Sequence, residues 1–315
     1  MSTTTRREFL GTAAVVGAAL RPVAAADAVP PARMTMDLVC GAIGVEADQR
    51  EAILLAGRHG FESVGADGGA LQKMSGGEIA DLRGLMKERG LVWGAAGLPV
   101  EFRRDDEAFR KTSAELPEFA SGLRRAGVTR VGTWLMPASD TLTSRRHFDV
   151  VATRLRETAR VLHGEGLRLG LEYVGPKTSW SSRKYPFVHT LAETQELVEA
   201  ISVPGVGYVL DSWHWYLAGD TAPQIRALRG EDVVAVDLND APAGIPNDQQ
   251  MDLSRELPMA TGIIPVGEFL EALRDIGYDG PVRPEPFNKA LNEMPNEEAA
   301  ATAATAMKKA FALVR

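Results

Sequence analysis

From Met36 onward the chain repeats one pattern. A short apolar run rich in Val, Leu and Ala is followed by a longer segment whose apolar positions recur at helical spacing. Residues 37–44 read as a first strand and 46–59 as its helix. Residues 61–66 and 77–89 make the second unit, closed by Gly90. Strand three covers 91–97, and its helix runs over 105–126 to Gly127, with Pro117 placed to split it. Strand four covers 128–136, with a helix over 143–165 closed by Gly166. The later units pair 168–174 with 191–201, 206–211 with a short helix at 221–228, 233–238 with 266–276, and 281–285 with 297–313. Eight strand-then-helix units without a break in composition predict an α/β chain folded as a (β/α)8 TIM barrel. The competing arrangement is an open, doubly wound sheet. No Gly-x-Gly-x-x-Gly follows the first strand and no Walker motif occurs, so neither nucleotide fingerprint supports it.

Two strand-to-helix connections are long, 175–190 and 239–264. Loops of that kind lie on the face where barrel active sites are built, and long ones commonly cover a small-molecule pocket.

The N-terminus follows another pattern. Arg6-Arg7-Glu8-Phe9-Leu10 precedes a small apolar stretch from Gly11 to Leu20, and then Val23-Ala24-Ala25-Ala26-Asp27. That order of charge, apolar run and small residues predicts a twin-arginine signal peptide over 1–26, a linker over 27–35, and a single barrel domain over 36–315. The implied location is periplasmic or exported. The apolar stretch is too short to span a bilayer, so no membrane span is expected.

Composition narrows the chemistry. The 315 residues are 45% hydrophobic and 24% charged, which is ordinary for a globular chain able to bury a large core. A net charge of -7 argues against a nucleic-acid partner, which would need a basic face. The single cysteine, Cys40, excludes an internal disulfide and a cysteine-based zinc cage, and it reads as a small core residue.

The ends of the last four strands carry the candidate chemistry. They read Leu171-Glu172-Tyr173, Leu210-Asp211-Ser212-Trp213-His214, Val236-Asp237-Leu238-Asn239-Asp240 and Arg283-Pro284-Glu285-Pro286. In a closed barrel these ends converge on one axis. Four carboxylates there repel one another strongly, and a divalent cation would resolve the repulsion. Oxygen-rich ligation favours Mn²⁺ or Mg²⁺, whereas one or two imidazoles would admit Co²⁺, Fe²⁺ or Zn²⁺. Any one of these acids alone would read as a helix cap or a salt-bridge partner.

These residues resemble the xylose isomerase-like barrel superfamily, in particular the sugar phosphate isomerase/epimerase group that includes ketose 3-epimerases and inosose dehydratases. The resemblance rests on Leu171-Glu172, Asp211-x-x-His214, the Asp240 segment, Arg255-x-x-Pro258 and the Glu285 segment. It implies one metal held by Glu172, Asp211, Asp237 and Glu285, with Glu172 and Glu285 as the acid/base pair. Asp237 departs from the family, which usually has His on that strand, and Asn239 is a reserve ligand. His214 and Arg255 would bind substrate oxygens. Lys177 in the first long loop, His189 beyond it and Trp134 at the end of strand four are further substrate-binding candidates, each equally readable as an exposed or packing residue. Barrels of this type often pair as homodimers, but no interface is legible here.

The implied function is a metal-dependent isomerase or epimerase of a free sugar, keto-sugar or polyol, acting by proton abstraction beside a carbonyl. A lyase or dehydratase acting on a keto-sugar or 3-keto-glycoside begins with the same step and is the alternative. A non-catalytic carbohydrate-binding barrel is the alternative of another class; it is invited by Asp237 and opposed by the glutamate pair. The superfamily's endonuclease branch would need a histidine-rich site, and the chain has five histidines in all.

Overall fold

The computed structural model describes Met1 and residues 34–315. Among these residues, eight parallel strands close into a barrel. They are β1 Thr35–Leu38, β2 Ser63–Ala66, β3 Val92–Gly97, β4 Arg130–Trp134, β5 Arg168–Glu172, β6 Val206–Asp211, β7 Val233–Leu238 and β8 Pro281–Pro284. Strands consecutive in sequence pair with each other, and β8 closes on β1 at Thr35–Pro281 and Met36–Val282. The fold is the predicted (β/α)8 barrel. The predicted leader lies outside the described residues apart from Met1, and of the predicted linker only Met34 and Thr35 are described, Thr35 already within β1.

Helices form where the periodic segments begin with a cap. Asp48 and Ser75 each accept from the backbone N–H three residues on, and Glu51 and Glu78 return the bond, which satisfies donors the first turn would otherwise leave unpaired. Gly90, Gly127 and Gly166 stop their helices at φ 67°, 86° and 75°, a left-handed geometry that side chains resist. The long third helix is two pieces, Asp106–Ala114 and Leu116–Ala126, because Pro117 cannot donate to the ladder. The predicted first strand was too long. Its apolar run turns after Leu38 into a 3-10 segment, Cys40–Ile43, and Ile43 is buried there without belonging to the sheet.

The barrel interior sets up the site. Side chains two apart on a strand share a face. Small residues fill one inner layer, where Ala95, Val209 and Ala235 pack together and Gly132 and Gly170 approach Val209. A Cβ on Gly170 would come within 2.8 Å of both Val209 and Val234, so a larger residue there would force the layer apart. Two positions further along the same strands stand Trp134, Glu172, Asp211 and Asp237. The hydrophobic layer therefore forms the floor under a polar one.

The loops above this floor are tied down. Ala138–Ser139, after β4, pairs antiparallel with Tyr185–Pro186 in the first long loop. Thr178 Oγ1 donates to Gln250 O at 2.7 Å and joins that loop to the second. No helix among the described residues is long and apolar enough to cross a membrane.

Candidate metal centre and active site

The register brings the charged residues into one ring. Asp211 lies beside Asp237 across β6 and β7, and Asp237 beside Arg283 across β7 and β8. Glu285 follows two residues after Arg283 and is held by its N–H to Leu238 O at 3.2 Å. One oxygen from each of Glu172, Asp211, Asp237 and Glu285 lies within 4.8 Å of the others.

Each carboxylate is fixed differently. Asp211 caps the helix Ser212–Ala218, taking the N–H of Trp213 at 2.7 Å, while Asn239 Nδ2 donates to the same oxygen at 2.8 Å and Arg255 Nη1 to the other at 2.7 Å. The helix-cap reading and the ring position are thus both true of Asp211. Asn239, a reserve ligand by sequence, serves as this donor. Asp237 is fully buried, and the guanidinium of Arg283 grips it through Nε and Nη2. Arg283 Nη2 and Arg255 Nη1 also approach Glu285, each at 3.4 Å. Glu172 is different, because its Oε1 is buried without a hydrogen-bond partner.

Electrostatics follow from burial. Desolvation first, and then Glu285, Asp237 and Asp211, push the Glu172 carboxyl well above the usual carboxylate range. Burial, and then Asp237, raise Glu285 to about 8. Asp37 on β1, also lacking a partner for Oδ1, is raised by burial to about 6. An oxygen-only donor set, mutual distances short enough for one ion and an orphaned buried oxygen on Glu172 fit a divalent cation.

His214 is buried and neutral. Burial and the neighbouring Arg255 hold its ring down to about 3. The N–H of Gly175 donates to Nδ1 at 3.3 Å, which favours the proton on Nε2. In that form Nε2 is a donor; in the other it could join Glu172 and Asp211 around an ion. It faces Glu172 Oε1, Asp211 Oδ2 and Asp252 Oδ1 at 3.8–3.9 Å, and in the donor form its 3.3 Å approach to Arg255 Nη2 is a contact between two donors.

Above the ring is a cavity of about 560 Å³, lined by Glu172, His214, Arg255, Glu285, Trp134 and Phe287 among others. Trp134 is 42% exposed and offers a ring face to the opening, its back stacked on Arg103 at 4.4 Å. Arg255 is buried and its guanidinium sits 4.7 Å from the ring of Phe287, which also lines the cavity and has a backbone φ of 41°. Two candidates fall outside the cavity. Lys177 points away to Asp248, with 3.6 Å between Nζ and Oδ2. His189 bonds Phe187 O at 2.7 Å and stacks on Trp180. Arg283, Asp252 and Phe287 were missed from sequence. The one available signal was parity, since Arg283 stands two before Glu285 and must share its face.

Comparison with known proteins accords with this geometry. Residues 53–310 match the sequence pattern of the xylose isomerase-like TIM barrel family. The chain belongs to that family. A xylose isomerase domain protein from Alicyclobacillus acidocaldarius superposes on it with a TM-score of 0.77 at 32% identity, covering 89% of this chain and 99% of the other. The inosose isomerase of Bacillus velezensis is 24% identical over 204 residues, or 64% of this chain and 68% of that protein. The Bacillus subtilis inosose isomerase is 28% identical over 153 residues, and the chain spans only half the length of that relative. The IolI protein, solved with a bound zinc atom, shares the fold with a TM-score of 0.73 at 20% identity, over 88% of this chain and 98% of the other.

Proposed function

We propose that this member of the family is a divalent-metal-dependent isomerase or epimerase of a free sugar, keto-sugar or polyol. The observation that carries the reading is the pair of glutamates on strands three apart around the ring, both held above the usual carboxylate range and both opening on one cavity. A group raised toward neutral pH can give and take a proton there, which a fully ionised surface carboxylate does poorly. The inosose isomerase relatives support a carbohydrate substrate.

The cation, held by carboxylates of the ring, would supply Lewis-acid polarisation of a substrate carbonyl and so make the adjacent C–H more acidic. The chain's own residues do the rest. Glu172 and Glu285 face the substrate from different sides, so one removes the proton while the other returns it to the adjacent position or the opposite face. His214 Nε2–H donates to a substrate oxygen. The Arg255 guanidinium, already rigid between Asp211 and Asp252, fixes a second oxygen without new ordering cost. Trp134 packs on the apolar face of a sugar ring. Export through the twin-arginine route belongs to the same proposal and is checked by N-terminal sequencing of the secreted protein for cleavage after Ala26.

Deuterium exchange tests the reading. The Mn²⁺-loaded protein in D2O with a panel of ketoses, aldoses, inososes and 3-keto sugars should label one sugar carbon and yield an isomer, as read by NMR. Glu285→Gln should cut that exchange by about 10³-fold. An unsaturated product would replace the isomerase reading with the lyase one. Labelling that persists both in Glu285→Gln and in Glu172→Gln would remove the glutamate pair from the mechanism.

A further inference from the structure

The grip of Arg283 on Asp237 separates this acid from the other three. Asp237 is wholly buried and meets a guanidinium edge-on, Nε to one oxygen and Nη2 to the other at 2.9 Å. A two-pronged pair of this kind occupies the outer edge of the carboxylate, the side on which a cation would otherwise be taken. Arg255 treats Asp211 otherwise. It reaches Asp211 through Nη1 alone and divides its other nitrogens between the Asp252 carboxylate and the Asp252 carbonyl. Glu172 has no Arg or Lys within ion-pair distance among the described residues, only His214 Nε2 at 3.8 Å, and Glu285 is approached only at 3.4 Å.

Arg255 also holds Asp252, so five carboxylates and two guanidiniums stand at the ring, and the Asp237–Arg283 pair adds no net charge to it. Had Arg283 been apolar, the negative charge would be larger; had Asp237 been apolar, Arg283 would keep only its 3.4 Å approach to Glu285, itself one of the carboxylates a metal would need. Both halves of the pair are thus required together. The register places them opposite each other, and parity with Glu285 turns Arg283 into the ring and not into the helix layer.

We infer that Asp237 and Arg283 act as one neutral unit that sets the charge of the metal pocket, with Asp237 serving Arg283 and the cation held by Glu172, Asp211 and Glu285. The inference rests on the metal-dependent reading above. Three carboxylates leave more coordination positions for substrate oxygens than four do. They also give an all-oxygen site of tunable affinity, in which Arg283 is the tuning residue.

Metal binding, not turnover, tests it. Mn²⁺ would be titrated calorimetrically into the metal-stripped full chain and the bound ion counted by mass spectrometry. Arg283→Met should tighten Mn²⁺ about tenfold or more, because it frees Asp237 and removes a positive charge. Asp237→Leu should weaken it about tenfold or more, because the guanidinium is left with Glu285 alone. The double variant should return to within about threefold of the natural protein, since a buried ion pair can be replaced by apolar residues of similar size. Asp237→Asn/Arg283→Gln carries the same expectation if the apolar pair does not fold. A double variant as weak as Asp237→Leu would make Asp237 a true ligand and overturn the inference, as would an Arg283→Met protein that binds no tighter than the natural one. Failure of the natural protein to bind Mn²⁺, Mg²⁺, Co²⁺ or Zn²⁺ would instead bring down the metal-dependent reading, and the inference with it.

Discussion

At the scale of single residues, the site stores charge it cannot hold alone. Glu285, raised to about 8 by burial and by Asp237, keeps its proton at neutral pH unless a cation stands beside it. A divalent ion favours the ionised form and brings the carboxyl back down. The sign is therefore definite. At pH 7 metal binding should release protons from Glu285 and Glu172, and the share from Glu285 should fade once the solution is well above pH 8, where that acid is already ionised. Calorimetry in buffers of differing ionisation enthalpy measures this directly, and proton uptake on binding would contradict it. His214 shows the complementary principle. Gly175 N–H on Nδ1 favours the tautomer with its proton on Nε2, the form that donates, against the opposing contact of Arg255 Nη2 on Nε2. Gly175 can do this only because it lacks a side chain, since a Cβ would lie 2.3 Å from His214 O.

At the scale of elements, the second long loop is a built structure and not a loose cover. Its anchor is Asp240, fully buried, whose carboxylate accepts from the N–H groups of Ala241, Thr261, Gly262 and Ile264 at 2.7–3.0 Å. Its backbone exchanges bonds with Glu256, the neighbour of Arg255. An acid of the Asp237-Leu238-Asn239-Asp240 segment thus holds the loop and stays out of the metal ring. Asp240→Asn turns an NH2 toward backbone donors that need an acceptor. It should cost about 2–4 kcal/mol of stability and, by loosening Arg255, raise KM more than it lowers kcat. A urea melt and steady-state kinetics check the two parts, and unchanged stability would show that the loop is anchored elsewhere.

At the scale of the whole molecule, the barrel depends on buried histidine staying neutral. His147, in the helix Ser144–Gly164, stacks on Phe187 of the first long loop at 4.0 Å, and burial and Arg154 hold its pKa down to about 4 against an ordinary 6.5. Above pH 6.5 neither the folded nor the unfolded chain protonates it and nothing is lost. As pH falls from 6.5 toward 4 the unfolded chain takes a proton that the folded one refuses, so stability declines across that window. The loss should reach about 2 kcal/mol, allowing for solvent screening from a second cavity, away from the metal ring, that this ring lines with Phe102 and Arg154. His147→Phe keeps the stack and removes the titration, so its urea midpoint should fall less over the same window than that of the natural protein. Equal slopes would assign the acid sensitivity to other groups.

The sequence by itself determined the fold class, the order of its elements and the strand ends that bear carboxylates. Those features are local: a period of two or of 3.6, a capping acid, a glycine after the last turn and an acid at the end of an apolar run are all visible within a dozen residues. Glu172, Asp211 and Glu285 were legible for that reason, and so was the alternation that became the barrel. The tertiary structure decided what each acid does. Asp237 meets Arg283 only because β7 and β8 align in one register, and Arg283 in sequence is a lone cation in a strand. Lys177 and Arg255 look alike as loop cations, yet one points to Asp248 at the surface and the other is buried between Asp211 and Asp252. Which charges pair depends on distances across segments remote in sequence, and in a buried ring those distances set each group's protonation and its freedom to bind a metal.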